Sequence, residues 1–258
     1  MGSLIKSLFE RITGKKSTIS PEKRLENITG FAKDILEREN KTLSRETAIY
    51  ALIRMLTDKI IIENTVDVIG ELKTKIVGER KGLSLDSLMS KDDRDSFRLL
   101  WDLVYQEPIK SFSDDIIIDL AKDPIIPSVW ERTRLLWSIA DIGNHNNPWE
   151  QQHINHAIQL YLPIGLSIVT GGNHSITSGM IKRTGKLIIN ESTNICYVYD
   201  ISKLLRDIRF DGTYYRKTID NSIAFKGANF DFGCVFEIGR VILDNNMCFQ
   251  RLNQKFLE

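Results

Sequence analysis

The sequence predicts an α+β protein, with a helical N-terminal domain over residues 1–110 and a small mixed-sheet domain over residues 111–258. Three observations carry that expectation. Over the first part of the chain apolar residues recur at three- and four-residue steps, the spacing of one buried helix face. From Asp114 the texture changes to short apolar runs bounded by proline and glycine, which suit strands. Between those runs helical spacing returns only briefly, so the second part mixes both elements.

Taken in order, Ser20 followed by Pro21 and Glu22 reads as a helix N-cap with proline at the first helical position. Leu25, Ile28, Phe31, Ala32, Ile35 and Leu36 then form its inward face. Ser44 opens a second helix with Ala48, Leu52, Ile53 and Leu56, and a third segment carries Val66, Ile69, Leu72 and Ile76. The charged runs "GERKG" and "SKDDRD" read as solvated loops, after which Ser90 caps a helix through Phe97, Leu100, Trp101 and Val104. "DPIIPSVW" brackets an apolar pair with prolines and reads as an extended connector or edge strand. "WERTRLLWSIADIG" is helical, with Leu135, Leu136, Ile139 and Ile142 on one side, and "EQQHINHAIQLYL" is a helix candidate ending before Pro163. Strands follow at Gly165–Val169, Lys186–Ile189 and Asn194–Tyr199, with a short helix between the first two. Asp200 and Ser202 cap a further helix, Asp211 with Gly212 marks a turn, and "GANFDFGCVFEIG" alternates aromatic and small residues like a strand or hairpin. Its aromatics suit a core or a base-stacking platform.

Composition narrows the function classes. A net charge of +1, from 35 basic and 34 acidic residues, provides no bulk field for non-specific polyanion binding. Cys196, Cys234 and Cys248 are odd in number and lack metal-type spacing, so they read as reduced thiols. The opening "MGSLIKSLFERITGKKS" carries a short amphipathic run without the apolar core of a signal peptide, and no stretch of 18 apolar residues occurs. A cytoplasmic location with no membrane partner is expected.

The four histidines, His145, His153, His156 and His174, fall within 30 residues. On the helix candidate His153 and His156 share a face, and such a pair binds one metal ion when a third ligand joins. The other reading makes them structural or substrate-contact residues.

The most informative stretch is "IVTGGNHSITSG", residues 168–179. A strand entering glycines and then a helix leaves backbone N–H groups pointing one way, toward the positive end of the helix dipole, which suits an anion. Gly171 and Gly172 permit close approach and positive φ, while Asn173, His174, Ser175 and Thr177 supply polar side chains. The motif is neither a Walker loop nor a dinucleotide fingerprint. A plain glycine turn, with Asn173 capping a core helix, is the competing reading.

Strand, "GGNHSITSGMIKRTG", then strand "NICYVYD" resembles the core of the ParB/sulfiredoxin-like superfamily, whose members carry a strand–G-x-[HR]-R–helix–G–strand unit. In that superfamily the loop binds nucleotide phosphates in partition CTPases, sulfiredoxin and a free-serine kinase, and other members are nucleases. By this resemblance Gly172 is the loop glycine, His174 the motif histidine, Gly185 the helix-ending glycine and Asp200 the residue closing the next strand. Asn173 stands where sulfiredoxin has its reactive cysteine, which excludes thiol chemistry there, and Ser175 stands where an arginine normally follows the histidine. The C-terminal part also resembles a bacterial protein family with no assigned chemistry.

The resemblance implies a ParB/sulfiredoxin-like C-terminal domain that binds a nucleotide or another phosphate ligand, ATP or CTP with Mg, with phosphoryl-transfer or nuclease activity and a role in anti-phage defence. His174 is then the donor or acid/base group, with Glu150 or Asp200 the carboxylate. Gly171, Gly172, Asn173, Ser175 and Thr177 form the cradle, with Arg134 as a phosphate contact. Trp130 and Arg134 share a helix face, to stack on a base or to pack, and Lys182 and Arg183 add positive charge or face solvent. Nucleic acid is a partner in the nuclease case. Two rivals remain: a non-catalytic interaction module binding a protein through its helical N-terminal domain, and a metal-dependent hydrolase built on His153 and His156.

Overall fold

The computed structural model describes residues 19–38, 42–70, 83–90, 98–105, 108–109, 115–190, 193, 195–247 and 249. Helix α1, Pro21–Glu37, starts as expected: Ser20 Oγ accepts from the Lys23 N–H at 3.3 Å, and proline sits at its start. Leu25, Ala32 and Leu36 are buried, but Phe31, assigned to that face, is exposed. Helix α2, Thr42–Gly70, joins the expected second and third segments into one helix, so Ser44 lies inside it rather than at its cap. Leu72 and Ile76 lie outside the described residues, as do the expected domain boundary, the "GERKG" loop and all of "SKDDRD" except Ser90. Ser90 makes a bridge to Gly227, after the short helix α3, Leu85–Met89. A π-helical turn covers Trp101–Tyr105.

The described residues form three sheets. Strands β1 (Ile116–Asp119) and β5 (Lys186–Ile189) pair antiparallel. Strands β2 (Ile125–Ile126), β4 (Leu166–Val169), β3 (Ile158–Leu162) and β6 (Tyr197–Asp200) form the central sheet in that spatial order. Within it β2 runs parallel to β4, β4 antiparallel to β3, and β3 parallel to β6. Strands β7 (Ile208–Phe210), β8 (Tyr214–Lys217) and β9 (Ile223–Lys226) form an antiparallel third sheet. Helices α4 (Arg132–Asp141), α5 (Asn173–Ile181), α6 (Ser202–Asp207) and α7 (Phe230–Asp244) complete the fold, which is α+β. Buried side chains of α1, α2, the sheets and α7 form one continuous core.

Three sequence expectations are corrected. "EQQHINHAIQLYL" is a turn followed by β3, not a helix, because residues 158–162 pair on both sides, with β4 and β6. Two-sided burial gives an apolar run that periodicity does not separate from a helix. "GANFDFGCVFEIG" is the start of α7, capped by Asn229, whose Oδ1 accepts from the Phe232 N–H at 2.9 Å. Buried nearly all round, this helix lacks the polar face that would have shown its 3.6-residue period. Leu136 points to solvent, so α4 buries only Leu135 fully, against Val68 of α2 and Val129. Among the described residues no helix is long and apolar enough to cross a membrane.

Candidate functional site

The β4–α5 connection is built by continuing the strand pairing one step beyond β4. The N–H groups of Thr170 and Gly171 donate to the Ala157 carbonyl at 2.9 and 3.1 Å, so the two glycines begin at the N-terminal end of β3. Gly172 has φ +73°, and a Cβ there would lie 2.3 Å from His156 Cδ2. Both the left-handed backbone and the close approach require glycine. Helix α5 follows at once, its first bond running from the Ile176 N–H to the Gly172 carbonyl at 3.0 Å. The N–H groups of Asn173, His174 and Ser175 precede that bond, and they carry the positive end of the helix dipole.

The polar side chains of the loop turn mostly inward. Asn173 Oδ1 accepts from the Ser128 N–H at 2.6 Å, tying the end of the β2 connector to the loop. Thr177 Oγ1 donates back to the Asn173 carbonyl at 2.7 Å. Ser175 Oγ donates to the Gly172 carbonyl at 3.0 Å and lies 2.7 Å from His156 Nε2. A cradle in which Ser175, Thr177 and the Asn173 side chain would face an anion is therefore not what forms; the backbone N–H groups are what remain for a ligand.

The His156–Ser175 pair looks at first like a base beside a nucleophile, and its proton bookkeeping argues otherwise. His156 Nδ1 accepts from the Gln152 N–H at 3.0 Å, so the neutral ring carries its proton on Nε2 and donates it to Ser175 Oγ. A general base would need Nε2 free to take a proton. Burial holds the His156 pKa down at about 4, so the neutral ring persists at pH 7. Trp149 stacks on it with ring centroids 4.9 Å apart and planes within 14°, and Trp149 Nε1 donates to the Ser175 carbonyl at 2.9 Å. Trp149, His156 and Ser175 form a clip that fixes the first turn of α5.

His174, at the second position of α5, is nine-tenths buried, and its Nε2 has no hydrogen-bond partner. Trp130 meets it edge-on at 5.1 Å, and the Arg134 guanidinium lies over the other ring system of this pair, 4.8 Å from the Trp130 centroid. Burial lowers the His174 pKa; the Glu131 carboxylate opposes that shift and Arg134 adds to it. Glu131 caps α4, accepting from the Thr133 and Arg134 N–H groups at 2.7 Å each. Burial raises its pKa, but these bonds outweigh burial and the net shift is downward. The N-termini of α4 and α5 thus converge. That of α4 is filled by a carboxylate of its own chain, and that of α5 is not.

The remaining expected site residues are scattered. Asp200 ends β6 opposite Leu162, whereas Val169, just before the loop, pairs with Ile158 at the other end of β3. The two sites are separated by four strand steps, roughly 13 Å; the parallel course of β6 beside β3 makes this unavoidable. Asp200 Oδ1 accepts from the Ser202 N–H at 2.8 Å and serves α6. Glu150 is exposed, next to buried Trp149. His153 is exposed in the turn while His156 uses both ring nitrogens, so the helix face on which the two were to bind metal does not exist. Among the described residues no three His, Cys, Asp or Glu side chains are grouped to hold a metal ion. Lys182 Nζ donates to the Ile142 carbonyl and to Asn144 Oδ1, joining the ends of α5 and α4. Sequence reasoning missed Glu131 as the carboxylate beside His174. A glutamate N-cap lacks the usual Ser, Thr, Asp or Asn signal, though its place just before "RTRLLW" was readable.

Compared with known proteins, residues 10–249 match the family of unknown function DUF6710, and the chain belongs to that family. No curated protein and no solved structure matches the chain.

Proposed function

We propose that this member of the DUF6710 family holds the phosphate of a nucleotide-type ligand at the N-terminus of α5. The observation that supports this most is His174 Nε2, buried and without a hydrogen-bond partner on the first turn of α5, whose N-terminus has no side-chain cap bond. A buried polar atom left unpaired costs about 1–3 kcal/mol, a cost that a bound hydrogen-bond partner removes. Arg134, over Trp130, supplies the nearby cation. The backbone N–H groups of residues 173–175, His174 and Arg134 hold the ligand, while Trp149, His156 and Ser175 keep the turn rigid. Binding rather than turnover is the reading preferred. Neither Glu150 nor Asp200 adjoins His174, and the carboxylate that does, Glu131, is committed to the cap of α4. A cytoplasmic location is part of the proposal, supported by the free buried thiols of Cys196 and Cys234.

Thermal unfolding of the full chain with ATP, CTP, GTP (each with Mg²⁺), orthophosphate or divalent metal alone tests this. A ligand confined to the folded state raises the melting temperature with concentration. A nucleotide- or phosphate-dependent rise that is lost in His174→Ala and Arg134→Ala is expected. No rise with any anion at millimolar concentration, or a rise with metal alone, contradicts the proposal.

A further inference from the structure

The two nitrogens of the His174 ring stand in unlike surroundings. The ring is nine-tenths buried, and Nε2 has no hydrogen-bond partner. A hydrogen bond to the Glu131 backbone favours the charged ring, so the ring is its donor and the carbonyl its acceptor. With Nε2 unpartnered, that donor is Nδ1. The neutral ring therefore keeps its single proton on Nδ1 and presents a bare lone pair at Nε2. A fully ionised phosphate is an acceptor only, as that lone pair is, so the two pair only when a proton comes between them.

We propose, on the reading that α5 holds a phosphate, that a fully ionised phosphate binds there together with one proton, which His174 takes from solvent at Nε2 and donates to a phosphate oxygen. One N–H bond forms and the ring passes from neutral to a single positive charge; no other proton moves. From α4 and its cap the Glu131 carboxylate favours the imidazolium, as does the bond to the Glu131 carbonyl, and the Arg134 guanidinium opposes it. Trp130 meets the ring edge-on and brings no charge. Across the turn His156 is neutral at pH 7, with its Nε2–H directed at Ser175 Oγ. Before the ligand arrives burial prevails, holding the His174 pKa below that of an ordinary histidine, and the ring is neutral at pH 7.5. A phosphate charge beside Nε2 tips that balance toward the imidazolium, so ligand and proton strengthen each other's binding.

Isothermal titration of the full chain with ATP and Mg²⁺ at pH 7.5, in two buffers of unlike ionisation enthalpy, counts the protons. Uptake of about one proton per ligand bound is expected. Binding weakens as pH rises, by up to about tenfold per pH unit between the pKa of the free ring and that of the liganded one. His174→Gln, whose amide N–H donates without titrating, binds more weakly than wild type at pH 6.5, with no uptake and no dependence on pH. Glu131→Gln, still able to cap α4 through its amide oxygen, moves the pH profile of binding to lower pH and guards against a folding defect in the first variant. Wild-type binding without proton uptake overturns this inference and leaves phosphate binding standing. Uptake that survives in His174→Gln places the proton elsewhere and overturns it too. Absence of binding by both ATP and orthophosphate overturns the phosphate reading and this inference with it.

Discussion

His156→Gln isolates the clip under the loop, and its effect is readable as a pH dependence. In the folded protein burial holds His156 at about 4, against 6.5 for an ordinary histidine. The folded state therefore binds fewer protons than the unfolded state between those values, and stability falls as pH drops through that window. Each pH unit is worth about 1.4 kcal/mol, so the whole window amounts to about 3 kcal/mol. Protonation would also set two donors, His156 Nδ1 and the Gln152 N–H, against each other. Asp123, at about 6, and Glu237, at about 7, are raised by burial and act in the opposite sense, adding stability as pH falls. Both are shared by wild type and variant and cancel in the difference, as does His174. Urea unfolding at pH 7.5 and 4.5 gives that difference. At pH 7.5 the variant is less stable by about 2 kcal/mol, from lost hydrogen bonds and stacking. At pH 4.5 wild type has lost about 2–3 kcal/mol relative to the variant, so the gap closes or slightly reverses. Parallel stabilities of the two proteins across the range would refute the neutral, buried imidazole.

Three further outcomes follow from the same geometry. Gly172→Ala places a methyl group against His156 in a left-handed backbone and lowers stability by about 2–3 kcal/mol in thermal or urea unfolding. Ser175→Ala leaves the His156 Nε2–H without its acceptor and costs about 1–3 kcal/mol, yet keeps nucleotide binding, since the backbone N–H groups remain. Asp200→Asn, at the far end of the central sheet, leaves the ligand-induced rise in melting temperature unchanged.

The sequence carried the α+β class and the strand–glycine–helix unit because those signals are local. Ser20-Pro21 caps α1 by its own side chain, and Gly171-Gly172 turns by its own backbone. What was not legible depends on partners distant in the chain. The strand in "HAIQLYL" exists because β4 and β6 flank it, and α7 hides its period because it is buried nearly all round. The site divides in the same way. The turn and His174 were readable from their neighbours. The role of His156 required knowing that the Gln152 N–H faces Nδ1, and the separation of Asp200 from His174 required the strand directions. Trp130 and Arg134 were expected on one helix face, but α4 begins at Arg132 and leaves Trp130 before its cap; the two meet instead through the Arg134 guanidinium lying over the indole.

The most direct test follows the imidazole nitrogens by ¹⁵N NMR while ATP with Mg²⁺ is added to the full chain at pH 7.5. The account predicts a saturable shift of the His174 Nε2 signal, with the His156 Nε2–H signal staying in place. A His174 signal unmoved at millimolar nucleotide and millimolar orthophosphate, or a shift confined to His156, would contradict it.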